Sequence, residues 1–476
     1  MGTKNQELHI AFFPFMAQGH IIPFMDLAKL FVSRGLKATI ITTSPDAPSI
    51  QTKLQNYSSS QIQIFTIKVP TADVGLPENC QSLHCATTPE MHLQFLTATG
   101  LLGPQIQQFF QRKKPNCLVA DMFFPWATDL GSEFGIPVLL FQGIGYFPLC
   151  AILCVHLYKP HLYVSSDSDP FVIPNLPGAI ELTRKKLPDF VTNGEENVFT
   201  KLLGEGVKAQ KQSYGVLVNS FYELEAAYAD HYRNDLGIRA WHVGPLYLAN
   251  ERLVEENKSS IEEQHECIKW LDLKKPSSVI YVCFGSLATF VDAQLLEIAE
   301  GLEASEQNFI WVVKKQVGED GWLPEGFEKR VEGRGLVVRG WAPQVKILSH
   351  AAVGGFVTHC GWNSTLEAVA AGVPMVTWPI FAEQFYNEKL ITQVLGIGVC
   401  VGAKEWMRVV RESVRRDEIE KAVRRAMVGE EAEEIRTRAR VYGELARRAV
   451  EVMGSSSEDL DALIHELLSY DIAQEL

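Results

Sequence analysis

Residues 341–384 read WAPQVKILSHAAVGGFVTHCGWNSTLEAVAAGVPMVTWPIFAEQ, and this stretch decides the fold. Two apolar runs, VGGFVTH (353–359) and VPMVTWP (373–379), each end in polar residues and read as buried strands. A helical pattern lies between them, and the turn that enters it is HCGWNS (359–364). Ser364 and Glu367 stand in the Ser-x-x-Glu order of a capping box, which predicts a helix beginning near Thr365. Free backbone N–H groups at a helix start, beside a glycine and small polar side chains, suit an anion. Upstream, Trp341 offers a flat face for a base; downstream, Glu383 and Gln384 offer acceptors and donors matched to sugar hydroxyls. A base, a diphosphate and a sugar, in that order, describe a nucleotide sugar.

Working outward, the 476 residues suffice for two domains, each with its own core. Apolar residues make up 46 % and charged residues 21 %, as in ordinary globular chains. A net charge of −13 argues against a nucleic-acid or anionic-membrane surface, because phosphate binding needs concentrated Lys and Arg. The basic residues of 407–447 are interleaved with Glu and read as a solvated helical face. Nine cysteines without a CxxC pair predict free thiols and a reducing, cytoplasmic setting. No secretory leader is read at the N-terminus, where a polar lead runs straight into IAFFPF. Residues 136–158 lack Asp, Glu, Lys and Arg, but Pro137, Gln142, Gly143, Gly145 and Pro148 break them into strand, loop and helix.

The first half alternates strand and helix patterns: HIAFFPF, a helix opening at Ile22-Pro23, KATIITT, IQIFTI, NCLVAD, IPVLLF. That order implies a parallel sheet covered on both faces. Residues 164–195, rich in Ser, Asp and Pro, read as a surface loop over a site, and 246–265 as a linker. SVIYVCFGS, VDAQLLEIAEGLEAS, NFIWVVK and LVVRGW then restart the grammar. The expected fold is α/β, with two Rossmann-like halves facing each other across a cleft.

His20 follows IAFFPF just before a helix, and Asp121 ends NCLVAD at the same sheet edge, where ligands of parallel sheets bind. Such a pair can act as a general base and its orienting acid, with the helix N-terminus favouring neutral imidazole; a capping or packing histidine is the plainer alternative. Asp167-Ser168-Asp169 has no strand before it and reads as solvated loop rather than a metal site. Cys360 lacks the flanking signature of a cysteine hydrolase.

The 341–384 segment resembles the signature box of the plant secondary-product UDP-glycosyltransferases. Trp341, Pro343, Gln344, Leu348, His350, Gly354, His359 to Ser364, Glu367, Gly372 to Pro374, Pro379 and Gln384 carry the match. The resemblance implies the GT-B fold, with an acceptor domain at 1–245, a UDP-sugar domain at 266–455, and a C-terminal helix at 456–476 crossing back to the first. It implies an inverting, metal-independent and cofactor-free transferase in which His20 is the base and Asp121 its partner. Ser286, His359, Asn363 and Ser364 would hold the diphosphate; Trp341 would stack on uracil; the Ala342 backbone and Gln344 would read its edge and ribose. Glu367 would take the ribose hydroxyls, Glu383 and Gln384 the sugar, and Trp362 would pack on that sugar. Gln at position 384 goes with glucose in that family.

One segment departs from it. Relatives read Phe-His-Gly-Thr-Ser where this chain has Phe141-Gln142-Gly143-Ile144-Gly145. Ile144 cannot bond a sugar's six-position hydroxyl, so UDP-xylose stands beside UDP-glucose as donor. Phe15, Phe123, Phe124, Trp126, Ile144 and Tyr146 flank the candidate base and predict a flat, apolar acceptor. The branch resembled glycosylates flavonoids and also triterpenoid or steroid aglycones; phenolic acceptors are favoured, with a monomeric enzyme and no nucleic-acid partner. A catalytically inactive nucleotide-sugar-binding protein is the alternative of another class.

Overall fold

The computed structural model describes residues 8–192, 198–255, 265–315, 321–411 and 413–475. Nine of its fifteen strands precede residue 250: β1 His9–Phe13, β2 Lys37–Thr43, β3 Ile62–Ile67, β4 Cys117–Asp121, β5 Val138–Gln142, β6 Pro170–Val172, β7 Glu181–Thr183, β8 Gly215–Val218 and β9 Ala240–His242. Seven of these form one parallel sheet in the order β3-β2-β1-β4-β5-β8-β9; β6 and β7 pair antiparallel on their own. The remaining strands are β10 Val279–Cys283, β11 Asn308–Val313, β12 Gly335–Arg339, β13 Val353–Thr358, β14 Met375–Thr377 and β15 Gly398–Cys400. They form a second parallel sheet, β12-β11-β10-β13-β14-β15. In each sheet the strand order reverses beside the first strand of its half, β1 or β10, and ligands bind at the carboxyl ends beside that reversal.

Both sheets are buried on two faces, so their strands read as near-continuous apolar runs. Along β1, Ile10 and Phe12 join one core with the helix Gln18–Ser33, while Ala11 and Phe13 join another under Phe95, Phe109 and Phe124. The apolar run at 136–158 divides as its Pro and Gly residues require, into β5 and the helix Tyr146–Tyr158. Among the described residues no helix is long and apolar enough to cross a membrane.

The two connecting segments carry structure of their own. The first ten residues of the 246–265 segment form the helix Leu246–Glu255, in which Asn250 Nδ2 bonds the carbonyl of Asp26 at 2.9 Å. Residues 256–264 lie outside the described residues. The 164–192 segment is ordered by Arg184, whose guanidinium donates to the carbonyls of His161 and Val164 and pairs with Asp167 at 2.9 Å. Asp169 is occupied by the Ser166 amide and hydroxyl.

The C-terminal helix Ser455–Glu475 lies against the first half. Leu460, Leu463 and Leu467 enter the core beneath β1 and its helix, and Asp459 meets Arg233 Nη2 at 2.8 Å and His242 Nδ1 at 2.9 Å. Ser456 donates to the carbonyl of Gly244, and Arg34 reaches Asp461 and Ser457.

Candidate active site

His20 is the third residue of the helix Gln18–Ser33, off the carboxyl end of β1, and Asp121 is the last residue of β4 beside it. The imidazole Nδ1 stands 2.8 Å from Asp121 Oδ2. That oxygen also accepts from the Phe15 amide at 3.2 Å, and Oδ1 accepts from the Phe123 amide at 3.2 Å. Three donors therefore fix a carboxylate that is 1 % exposed. With Nδ1 held by the acid, Nε2 is the nitrogen left to work. The helix N-terminus does not set the charge as the sequence suggested. Burial pulls the His20 pKa down, but the attraction and hydrogen bond of Asp121, joined by Glu383, outweigh it, and the net shift is upward from 6.5.

The turn after β13 differs from its predicted form. The helix runs Trp362–Ala371 with Gly361 as N-cap and no side-chain cap, three residues earlier than the capping box implied. Sterics choose the glycine: a Cβ there would stand 2.4 Å from His359 Nε2. Ser364 is thus inside the first turn, where its hydroxyl receives Gln344 Nε2 at 2.9 Å. The same nitrogen bonds Glu367 Oε2 at 2.6 Å, so Glu367 faces Gln344 rather than capping. Burial pushes the Glu367 carboxyl up to about 7, against the hydrogen bond from Gln344.

His359 sits between Gly361 and Gly285, whose Cβ would lie 2.7 Å from its Cε1. Its Nδ1 has no partner among the described residues, and burial with repulsion by Lys314 lowers its pKa to about 4. At neutral pH this ring is uncharged and meets an anion as an N–H donor only. The cation that acts on this ring is Lys314, which follows β11 with no motif to mark it. Its ammonium binds the carbonyl of Ser286, and that of Ala288 at 2.9 Å, in the loop after β10.

Trp341 is 74 % exposed, an open indole face flanked edge-on by His265, beside buried Ala342. Gln384 is 3 % exposed and its Oε1 accepts from the Ile380 and Phe381 amides, which leaves only its NH₂ for a ligand. Glu383 is bonded by Asn387 Nδ2 at 3.1 Å; burial raises its pKa, while His20 and the Trp362 amide favour its ionised form.

Trp362 corrects an expectation. Its ring does not lie open for a sugar: it is 3 % exposed and turned into the first half, Nε1 donating to the Asn219 carbonyl at 2.7 Å. The next residue, Asn363, donates from Nδ2 to the Gly19 carbonyl at 3.1 Å. The aromatic wall also divides. Phe15, Phe124 and Tyr146 are at most 1 % exposed: Phe124 stacks on Phe13 at 4.0 Å, and Tyr146 packs on Tyr232. They support the site from behind, because each completes a core. Phe123, Trp126 and Ile144 are only partly buried, with Phe123 5.4 Å from the His20 ring. Among the described residues, no group of three or more His, Cys, Asp or Glu side chains could hold a metal ion.

Residues 250–414 match the family described as UDP-glucoronosyl and UDP-glucosyl transferase. UDP-glucose flavonoid 3-O-glucosyltransferase 7 of Fragaria ananassa is 54 % identical, with 98 % of each chain aligned. Scopoletin glucosyltransferase of Nicotiana tabacum is 50 % identical over the same shares. The crystal structure of Glycyrrhiza uralensis UGT73P12 complexed with glycyrrhetinic acid 3-O-monoglucuronide superposes with a TM-score of 0.88 at 39 % identity, covering 98 % of this chain and 97 % of that one. The likeness thus extends over nearly the whole of each chain and takes in both parallel sheets. The fold is GT-B, and the chain belongs to the UDP-glucoronosyl and UDP-glucosyl transferase family as a UDP-glycosyltransferase of the plant type.

Proposed function

We propose that the enzyme transfers glucose from UDP-glucose to a hydroxyl of a flat, largely apolar phenolic acceptor of the flavonoid kind, with inversion to the β-glycoside. The observation that carries the chemistry is the 2.8 Å contact of His20 Nδ1 with Asp121. It leaves Nε2 beside Phe123 to take the acceptor's proton. The acceptor oxygen bonds to the anomeric carbon as that carbon's bond to the phosphate oxygen breaks. The electron pair leaves with UDP, and the proton stays on His20 until solvent removes it. No glycosyl-enzyme forms, so no second carboxylate of the glycosidase type is needed.

In this reading Trp341 stacks on uracil, with the Ala342 backbone and Gln344 at its edge, and Glu367 takes the ribose. Ser286, His359, Asn363 and Ser364 donate to the diphosphate, and Lys314 adds the charge that a neutral His359 cannot. Glu383 and the NH₂ of Gln384 hold the sugar. The names of the Fragaria and Nicotiana relatives support glucose and a phenolic acceptor. Ile144 supports a second donor reading, UDP-xylose, because its apolar side chain offers no hydrogen bond where the family resemblance implies a Thr or Ser partner for a six-position hydroxyl. The nine cysteines, none disulfide-bonded among the described residues, support a reducing, cytoplasmic setting; a monomer with UDP-sugar and a small acceptor as its partners belongs to the same proposal.

The test is a mass-spectrometric competition among UDP-glucose, UDP-galactose, UDP-xylose and UDP-glucuronic acid over flavonols and triterpenoids, run with the native chain and His20→Ala. A hexose gain on a flavonol that falls about 10³-fold in His20→Ala, with UDP binding intact, is expected. A pentose gain moves the donor to UDP-xylose. UDP binding without any transfer means an inactive binding protein.

A further inference from the structure

The base and the nucleotide turn belong to different sheets, so something must fix the distance between them. The contacts that span the two halves at this point are unusual in being made by two consecutive residues of the nucleotide turn itself. Trp362 inserts its indole into the first half and bonds the Asn219 carbonyl at 2.7 Å. Asn363 bonds the carbonyl of Gly19, the residue before His20, at 3.1 Å. We propose that Trp362 and Asn363 bolt the nucleotide turn to the first half, and that Gly145 is the positioning residue that seats this bolt and so sets the reach from His20 to the sugar. The proposal rests on the assignment of this cleft as the UDP-sugar site.

The seat is built around a missing side chain. A Cβ on Gly145 would lie 2.4 Å from Trp362 Cη2, 2.5 Å from Cζ2 and 2.6 Å from Glu225 Oε2. The ring cannot step aside, and the carboxylate can yield only by loosening its own hydrogen bonds. The indole is 3 % exposed, and Glu225, 2 % exposed, is held by three donors. These are the Tyr146 amide at 3.1 Å, the Phe147 amide at 2.7 Å and the Ser220 hydroxyl. Backbone conformation does not demand glycine here, because φ −81° and ψ 172° suit any residue. Space does. Asn219 is fixed in turn: its amide bonds the Gln142 carbonyl at 3.1 Å and its Oδ1 takes the Leu246 amide at 3.2 Å. The slot therefore joins the ends of β5 and β8 and the start of the helix Tyr146–Tyr158. Those elements carry the Gln142–Gly145 turn in which this chain departs from the plant-enzyme pattern.

The consequence is separable from nucleotide binding. The proposed UDP ligands lie in the second half, whereas Gly145, Asn219 and Glu225 lie in the first. A side chain at 145 should push the turn away from His20 while leaving the UDP groove whole. Displacements near 1 Å at reacting atoms cost about 10²-fold in rate.

The experiment compares the full-length native chain, Gly145→Ala, Trp362→Phe and the double variant, measuring kcat, UDP affinity by calorimetry, and hydrogen exchange by mass spectrometry. Gly145→Ala is expected to lose about 10²-fold in kcat while its UDP affinity holds within about twofold. Exchange should quicken in 141–147 and 219–225 and stay unchanged in β10 and β13. Trp362→Phe removes the two carbons that meet the new methyl, so it should lower kcat in the native background yet raise it in Gly145→Ala. UDP affinity falling as far as kcat, an unchanged kcat, or simple additivity of the two substitutions overturns the bolt. If Gly145→Ala does not fold, the double variant decides: it should fold, and its failure to do so also overturns the proposal. Native chain that binds UDP but glycosylates nothing would refute the transferase reading instead; the exchange pattern would still read the bolt.

Discussion

Asp121→Asn isolates what the acid does for His20. In the native chain Asp121 Oδ2 serves two donors, His20 Nδ1 at 2.8 Å and the Phe15 amide, and Oδ1 serves the Phe123 amide. An asparagine of the same shape has one acceptor oxygen, so in either orientation its NH₂ confronts a donor. The cheapest escape is for His20 to move its proton to Nε2, which abolishes the free base. The lost charge-assisted bond alone is worth about 1.5–3 kcal/mol, or about 10–150-fold in rate at 1.36 kcal/mol per decade. With the tautomer penalty, kcat/KM at its high-pH plateau should fall at least 10²-fold or so. The pH profile carries the sharper signature. His20 is raised above 6.5 because Asp121 and Glu383 outweigh burial, so the native acid limb should lie above pH 6.5. Without the carboxylate, burial dominates and the limb should move to lower pH. Stability follows the same sign: a raised histidine stabilises the fold fully below 6.5 and loses that contribution as pH climbs through the folded value. Asp121→Asn should therefore cost most in melting temperature on the acid side. The assay is kcat/KM from pH 5 to 10 with one acceptor, alongside UDP titration calorimetry. An unmoved acid limb, or UDP affinity falling in proportion to rate, would refute the base–acid assignment.

Two further outcomes are expected. Lys314→Met should weaken UDP about 10-fold and leave uridine binding unchanged, with Lys314→Arg close to native, because a lost cation near a diphosphate is felt only by charged ligands; equal losses for uridine and UDP would make Lys314 a loop support alone. Asp459→Ala should lower stability by about 1.5–3 kcal/mol, since Arg233 and His242 lose their shared acceptor. Burial raises the Asp459 pKa, but His242 and Arg233 outweigh it and the net shift is downward from 3.8. Its contribution is therefore present above 3.8 and lost as pH falls through the lower folded value, so the two melting curves should converge in acid. A gap that stays constant with pH would assign the loss to packing.

The parts of this molecule that were legible in its sequence share a cause. Both sheets are parallel and covered, so their strands are written as apolar runs, and the Gly- and Pro-bearing turns after them mark where each sheet ends. His20, Asp121, His359 and Trp341 all stand at such ends, where local pattern and position in the fold coincide. What the sequence hid depends on contacts between segments far apart along the chain. The start of the helix Trp362–Ala371 is an example. Ser-x-x-Glu is a local signal for a cap at Ser364, yet the helix begins at Gly361. A nonlocal partner tips the balance: Gln344, twenty residues upstream of Ser364, takes both the hydroxyl and the Glu367 carboxylate, while the neighbouring His359 ring forbids a Cβ at 361.

The same reasoning explains the aromatic residues. Phe15, Phe124 and Tyr146 carry the right chemistry at the right strand ends, but a strand end has an inside and an outside, and only packing decides which a ring occupies. Trp362 is the strongest case. As sequence it is a ring within a ligand turn and reads as a sugar contact; as structure it reaches 143 residues back to the Asn219 carbonyl. Its slot exists because Gly145 has no side chain, and nothing in the local pattern around 145 asks for a glycine. A glycine with ordinary backbone angles in a crowded place marks a partner that sequence cannot name, and here the partner is the nucleotide turn of the other half. On the two proposals, Gly145 and Ile144 would do different work in one departure from the plant-enzyme pattern: the glycine leaves room for the Trp362 ring, and the isoleucine would change what the donor sugar meets.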